Sequence, residues 1–311
     1  MKRFKKILAA VDTRLEDHPL VSEAADIAQH NGAALTIVDV VPELPWLVQF
    51  AVEDADELRQ ALVAEKSARL EELAEPLRRK GLDVTTRVLE GRTSVAIIRD
   101  VLRYGHDLVM RVAKGVDSRR HGFFGATAFR LLRKCPCAVW LVTPAASPRF
   151  QRVLGCVNPS PGDPVDEELN DKVIELAQSV SRYHQGTCSL VHVWSLWNER
   201  MLKEHMKPEE FELVKRRARE EIERNFTATL QRHGLSLESP GVVLLEGEPI
   251  SRIAEFVKQE RIDLIVLGTV GRSGIQGILM GNTAEQILNR IECSVLAVKP
   301  SGFVTPVKMA E

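Results

Sequence analysis

The sequence lacks a long hydrophobic run and has no excess of charge of one sign. Its first apolar stretch, residues 7–11, ends at Asp12, which is too short for a signal-peptide core or a membrane span. The net charge is −1, from 42 basic and 43 acidic residues, so no overall electrostatic attraction draws the chain to nucleic acid or to an anionic membrane. We therefore expect a cytoplasmic protein that binds neither.

The cysteines also lack a pairing pattern. There are five, at positions 135, 137, 156, 188 and 293, and none forms a C-x-x-C motif. An odd number without such spacing is typical of a reduced intracellular protein. Cys135 and Cys137 flank a single proline, but no histidine or further cysteine lies near them in the sequence. We favour core cysteines over a metal site and predict no metal ligands.

An internal repeat organises the chain. Residues 6–12 match residues 152–158, and the matches between 89–142 and 245–298 keep a constant offset of 156. The offset near the start of the copies is 146, so the second copy is longer in its middle. With 311 residues, two domains of roughly 150 residues are expected. The boundary falls in the Pro/Ala-rich residues 143–148, giving domains at 1–146 and 149–311.

Each copy alternates short apolar runs with helical patterns. Val-, Ile- and Leu-rich runs predict strands buried on both faces, as in parallel sheets. Helical patterns cover residues 19–30, 54–80 and 94–104 in the first copy, and 165–184, 208–233 and 250–259 in the second. This alternation predicts an α/β fold of two tandem doubly wound domains, each with a parallel sheet of about five strands. Ligands of such sheets bind beyond the carboxyl ends of the strands.

A glycine-rich loop follows the fourth strand of the second copy. After residues 263–267 come Gly268, Gly271 and Gly281, and then a helical pattern. Glycines let backbone N–H groups approach an anion closely, and a helix start adds unpaired N–H groups. Asn282 followed by Glu285 predicts a capping box at that helix. The spacing indicates a phosphate cradle.

The spacing Gly268-x2-Gly271-x9-Gly281 resembles the ATP-binding loop of the universal stress protein family. Asn282 stands where that pattern has Ser or Thr, with Thr283 next. The whole chain is similar to the tandem form of the family, and most similar to its E type. The resemblance implies an adenine nucleotide α-hydrolase-like fold, an ATP or related adenine nucleotide ligand, with or without Mg²⁺, an intramolecular pseudo-dimer that could dimerise further, and a role in stress response with unknown protein partners.

The first copy departs from this pattern. Val112 replaces the first glycine, Gly115 and Gly125 keep the others, and Ala126 replaces the hydrogen-bonding residue. The acid that lies beside the nucleotide in ATP-binding members is Asp12 in the first copy, whereas the second copy has Asn158. We therefore predict a degenerate loop in domain 1 and a near-complete site in domain 2. The cofactor-binding residues would be Gly268, Gly271, Gly281, Asn282, Thr283, Asn158 and Arg272.

Other interpretations stay open at this stage. The glycines could serve only as turns, Asn158 as an Asx turn, Asn282 and Thr283 as helix caps, and Arg272 as a solvated side chain. No Gly-x-Ser-x-Gly, Walker A or His-Glu-x-x-His motif occurs, so we predict no catalytic residues and a non-catalytic regulatory or protective factor. The alternatives are a slow ATPase or nucleotidyl transferase, and a carrier of an anionic, partly apolar metabolite that uses residues 42–52 and the basic segment 111–121.

Overall fold

A computed structural model describes residues 3–43, 54–114, 124–143, 150–160, 162–269 and 280–309. The chain divides into two compact units. Unit 1 is Met1–Pro148 with Gly302–Glu311, and unit 2 is Arg149–Ser301. The sequence-based division differs at the C-terminus, because it assigns residues 302–311 to the second domain. In the structure Lys308 contacts unit 1, where Arg99 Nε donates a hydrogen bond to the Lys308 carbonyl at 3.1 Å.

Unit 1 alternates strands and helices along the chain. Its described elements are β1 (Lys6–Ala10), α1 (Pro19–Asn31), β2 (Ala34–Val41), α2 (Ala55–Arg79), β3 (Val84–Glu90), α3 (Thr93–Tyr104), β4 (Leu108–Val112), α4 (Ala126–Lys134) and β5 (Ala138–Val142). Every described strand pair is parallel, in the order β3-β2-β1-β4-β5. The doubly wound prediction is confirmed for this unit, with the strand order reversing between β1 and β4.

Unit 2 repeats the same order. Its described elements are β6 (Arg152–Cys156), α5 (Pro164–Tyr183), β7 (Thr187–Trp194), α6 (Glu199–His205), α7 (Pro208–Gln231), β8 (Val242–Glu246), α8 (Pro249–Gln259), β9 (Leu264–Gly268), α9 (Asn282–Leu288) and β10 (Ser294–Val298). The parallel order is β8-β7-β6-β9-β10. The order reverses between β6 and β9, which is where ligands bind in open α/β sheets.

The helix boundaries follow capping rules. Asp54 accepts a hydrogen bond from the Glu57 N–H at the start of α2, and Asp163 accepts from two N–H groups at the start of α5. Pro164, Pro208 and Pro249 each begin a helix, because the missing N–H of proline would have no partner in a first helical turn. The short helix α6 was not predicted, since a helix of seven residues, or about two turns, gives no clear periodicity.

The central strands of each unit are buried on both faces, whereas β3 and β8 are only partly buried. All residues of β10 are buried, as are four of the five in each of β1 and β9. This explains why the strands read as continuous apolar runs rather than alternating patterns. Within the described ranges, none of the helices has the length and apolarity needed to span a bilayer.

The strand register confirms the repeat offset. Ala10 pairs with Arg111 in unit 1, and Cys156 pairs with Leu267 in unit 2. Arg111 and Leu267 are therefore equivalent positions at the end of the fourth strand of each unit. Residues of the two units can be compared one by one on this basis.

Candidate functional site

A cavity of about 800 Å³ opens at the carboxyl ends of β6, β7 and β9 in unit 2. Its walls combine apolar side chains with a few polar ones, and they include Leu169, Val173, Ile253, Met280 and Ile287 on the apolar side. Small-molecule sites have this composition and volumes of roughly 300–1,000 Å³. The cavity lies where the strand order reverses, so position and size both suit a nucleotide-sized ligand.

Five of the seven predicted binding residues line this cavity. They are Asn158, Gly268, Gly281, Asn282 and Thr283. Asn158 follows β6, Gly268 ends β9, and the other three lie at the start of α9. The remaining two, Gly271 and Arg272, lie outside the described residues. Residues 110 or more positions apart in the sequence thus meet at one strand-end cavity.

Gly268 is the last residue of β9, and a side chain there would point at the cavity wall. A Cβ at this position would lie 3.5 Å from Leu169 Cδ1 and 3.7 Å from Leu169 Cβ. These are ordinary van der Waals distances, so one methyl group fits the fold. Any larger side chain would extend into the space between Gly268 and Leu169, both of which line the cavity.

The start of α9 differs from the sequence prediction. Gly281 occupies the N-cap position, its N–H donates to the Thr269 carbonyl at 2.9 Å, and no side chain caps the helix. Asn282 is the first helical residue rather than the cap, so the predicted Asn282–Glu285 capping box is wrong. The helix therefore begins one residue earlier than predicted, because Gly281, with its extended backbone, is the N-cap. Asn282 and Thr283 are exposed, which leaves both side chains accessible at the rim of the cavity.

Asn158 is held through its backbone. Its N–H donates to Asn170 Oδ1 at 2.8 Å, and Asn170 Nδ2 donates back to the Asn158 carbonyl at 3.0 Å. The exposed Asn158 side chain makes no hydrogen bond with a described residue. The Asx-turn interpretation therefore does not hold among these residues. The amide is positioned by Asn170 and is available to a ligand.

Asn170, Asp166 and His192 also line the cavity, and none of the three was predicted as a binding residue. Asp166, Leu169, Asn170 and Val173 share one buried face of α5. Polar residues at core-facing helical positions were the signal that could have revealed the two on this helix. His192 is 5% exposed, and its Nδ1 lies 3.0 Å from the Val157 carbonyl.

The cysteine that lines the cavity, Cys156, is not an activated nucleophile. Burial raises the pKa of the Cys156 thiol well above its usual range, which keeps it protonated and unreactive. Among the described residues, no group of three or more His, Cys, Asp or Glu side chains is placed to hold a metal ion.

The equivalent strand ends of unit 1 carry different side chains. Val112 ends β4 where Gly268 ends β9, and Gly125 occupies the N-cap of α4 as Gly281 does for α9. Asp12 Oδ1 accepts hydrogen bonds from the Arg14 N–H at 3.2 Å and Nε at 2.8 Å. Of the basic segment 111–121 and the segment 42–52, residues 115–121 and 44–52 lie outside the described residues.

Comparison with known proteins agrees with this architecture. The sequence model of the universal stress protein family matches residues 3–143 and 150–299. The chain belongs to the universal stress protein family. The match covers both repeats, so the tandem arrangement predicted from the glycine spacing and the repeat is confirmed.

Relatives of this universal stress protein share its full length. Universal stress protein E of Escherichia coli K12 is 28% identical over 316 aligned positions, which cover 99% of this chain and 98% of that protein. The universal stress protein E homolog of Haemophilus influenzae is 24% identical over 311 positions, covering 96% of this chain and 98% of its own length. The similarity to E-type proteins therefore extends over both units.

Solved structures share the fold. The functionally unknown protein PA1789 of Pseudomonas aeruginosa PAO1 aligns with a TM-score of 0.74 at 22% identity, covering 96% of this chain and 94% of its own. A universal stress protein from Archaeoglobus fulgidus aligns with a TM-score of 0.62 at 17% identity, covering 96% and 98%. At these identities the likeness concerns the fold alone.

Proposed function

We propose that unit 2 binds ATP or a related adenine nucleotide in its strand-end cavity, and that the protein acts as a non-catalytic regulatory or protective factor in stress response. The observation that carries the proposal is that five predicted binding residues, four from the glycine loop and Asn158 from the end of β6, line one cavity of about 800 Å³. The stress role follows the family to which the chain belongs.

The chemistry of the cavity suits the parts of a nucleotide. The apolar walls formed by Leu169, Val173 and Ile253 suit the faces of a base. The Asn158 amide can accept and donate hydrogen bonds, as ribose hydroxyls and base edges require. Gly268 and Gly281 have no side chain that would keep phosphate oxygens away from the backbone, and the Asn282 and Thr283 side chains are exposed at the rim.

Gly268→Val tests the site because it copies Val112 of unit 1. The added methyl groups narrow the space toward Leu169, so we expect nucleotide affinity to fall by at least about tenfold, or 1.4 kcal/mol, in calorimetric titration with Mg-ATP. Gly268→Ala is the matched control, since its Cβ makes only ordinary contacts, and it should bind within a few-fold of the wild type. Wild-type affinity in the valine variant would remove the assignment.

Identification of the copurifying ligand tests the ligand class. Denaturing the purified chain and analysing the released small molecules by mass spectrometry should give an adenine nucleotide near one per chain. A protein that carries none and gives no heat with Mg-ATP would contradict the proposal. Phosphate release that tracks the protein and disappears in Gly268→Val would replace the non-catalytic role with slow hydrolysis.

A further inference from the structure

At three strand-end positions, unit 1 carries an aspartate or an arginine where unit 2 carries Asn158, His192 or Leu267. The strand registers make three positions equivalent. Asp12, Asp39 and Arg111 of unit 1 correspond to Asn158, His192 and Leu267 of unit 2. All three residues of unit 2 line its cavity. The place that would hold a nucleotide in unit 2 is therefore a charged cluster in unit 1.

Both carboxylates of this cluster already have cationic partners. Asp12 accepts hydrogen bonds from Arg14, through Nε at 2.8 Å and Nη2 at 2.6 Å. Asp39 forms an ion pair with Lys66 and accepts a hydrogen bond from Thr13 Oγ1 at 2.6 Å. Asp12 and Asp39 are 8% and 5% exposed, and the Lys66 side chain is 13% exposed, whereas the Arg14 side chain is 57% exposed. Each negative charge is thus matched within the cluster.

Arg111 is the unmatched charge. It lies at the end of β4 beside Ala10 of β1 and is half-buried. In the described part of the chain its guanidinium has no hydrogen bond and no ion pair within contact distance. Burial lowers the pKa of Arg111, while the charges of Asp12 and Asp39 act in the opposite direction. Because an arginine stays protonated in proteins, the cluster holds three cations, Arg14, Lys66 and Arg111, for two carboxylates.

A half-buried charge without a hydrogen-bonded counter-ion is costly, and an oxyanion offsets that cost. The planar guanidinium donates two parallel hydrogen bonds to a carboxylate or phosphate group. The carboxyl ends of β1 and β4, where the strand order reverses, are where ligands reach such a sheet. We propose that unit 1 binds a small oxyanion, a phosphate or carboxylate group, on the guanidinium of Arg111. This inference is independent of nucleotide binding in unit 2.

Thermal unfolding of the full chain at low ionic strength tests the proposal, with inorganic phosphate and succinate as separate probes. Binding to the folded state raises the melting temperature as the probe concentration rises. We expect at least one probe to raise it in the wild type, and the better probe identifies the oxyanion. Arg111→Leu, which copies Leu267, should abolish the rise. Arg103→Leu removes an exposed arginine of the same unit and should retain it.

Two further variants separate the outcomes. Gly268→Val should keep the response to phosphate, because that substitution affects only unit 2, and loss of the response there would place the anion in unit 2 and overturn the proposal. An equal rise in Arg111→Leu and wild type would also overturn it, as would no rise with either probe. If the leucine variant does not fold, Arg111→Gln removes the charge with a polar side chain and should likewise abolish the rise. A melting temperature markedly lower in Arg111→Leu without anion would mean that Asp12 and Asp39 already neutralise Arg111, contrary to the proposal.

Discussion

The two units have the same ladder of parallel strands but place opposite chemistry at the strand ends. In unit 2, Asn158, His192 and Leu267 line an open cavity. In unit 1, the equivalent Asp12, Asp39 and Arg111 form a cluster with Arg14 and Lys66. Because these positions lie near or just beyond the carboxyl ends of the strands, they can change without altering the fold. The two copies thus share one fold but differ in the side chains at their strand ends.

The same contrast shows in how the first strand-end residue is held. Asn158 is clamped by its backbone to Asn170, which leaves its side chain available to a ligand. In contrast, the Asp12 side chain accepts hydrogen bonds from Arg14, two residues later in the chain. The Asn158 side chain is thus accessible, whereas the Asp12 side chain is paired with Arg14. We infer that unit 2 can bind a ligand through residue 158 and that unit 1 binds a ligand of different chemistry.

The largest expected effect comes from removing the buried cation of unit 1. Lys66 is 13% exposed and pairs with Asp39, whose side chain is 7% exposed. Lys66→Met leaves a buried carboxylate without its cation, which should lower the free energy of unfolding by about 3–5 kcal/mol. Urea denaturation of the full chain measures this change.

Arg79→Met is the matched control on the same helix. Arg79 pairs with Glu75 at 3.8 Å, with side chains 71% and 59% exposed, and exposed pairs of this kind contribute no more than about 0.5 kcal/mol. If Lys66→Met lowered the free energy of unfolding by less than about 1 kcal/mol, the ion pair between Lys66 and Asp39 would be exposed to water. The electrostatic contrast between the two units would then not hold.

A smaller effect is expected in the pH dependence of stability. The hydrogen bonds from Arg14 hold the pKa of Asp12 below its ordinary value of 3.8. Since the folded-state pKa is depressed, Asp12 contributes stability above about pH 4, and this contribution is lost as the pH falls through the folded-state pKa. Asp12→Asn, which copies Asn158, should flatten the fall in stability below pH 4, as measured by thermal unfolding across that range.

Asp17→Asn provides the comparison for this titration. Asp17 lies in the same loop but is exposed, so its substitution should leave the shape of the pH profile unchanged. Identical profiles for wild type and Asp12→Asn would mean that the Arg14 contact does not persist in solution.

Much of the fold follows from sequence because its signals are local or repeated. The apolar runs of β1 and β9 and the helical pattern of α2, capped by Asp54, are properties of short segments. The constant offset of 156 between the copies then adds agreement over more than fifty residues. Buried parallel strands give such runs because both faces pack against helices.

The site was only partly predictable, because several of its residues lie far from the glycine loop in the sequence. Gly268 and Gly281 belong to one motif, whereas Asn170 reaches Asn158 from α5 and His192 comes from β7. Nothing in the motif specifies these contacts, since they depend on how strands β6, β7 and β9 align. The capping-box prediction for Asn282 failed for a local reason, because the extended Gly281 occupies the N-cap and Asn282 is the first helical residue.

The smallest expected effect restores the acid to unit 2. Asn158→Asp should leave stability within about 0.5 kcal/mol of wild type, because the Asn170 clamp uses the backbone of residue 158 and not its side chain. A carboxylate accepts hydrogen bonds from ribose hydroxyls more strongly than an amide does. We expect the affinity for adenosine and ADP to rise by up to about tenfold in calorimetric titration.

The negative charge of the new aspartate should affect the nucleoside and the phosphate groups of the ligand differently. Repulsion of the phosphates grows with their number, so the gain should be larger for adenosine than for ATP, and added salt should reduce that difference by screening. Asp12→Asn in unit 1 is the control and should change none of these affinities. If Asn158→Asp altered stability instead of affinity, residue 158 would belong to the scaffold of the sheet, and the distinction between a presented Asn158 and an internally paired Asp12 would not hold.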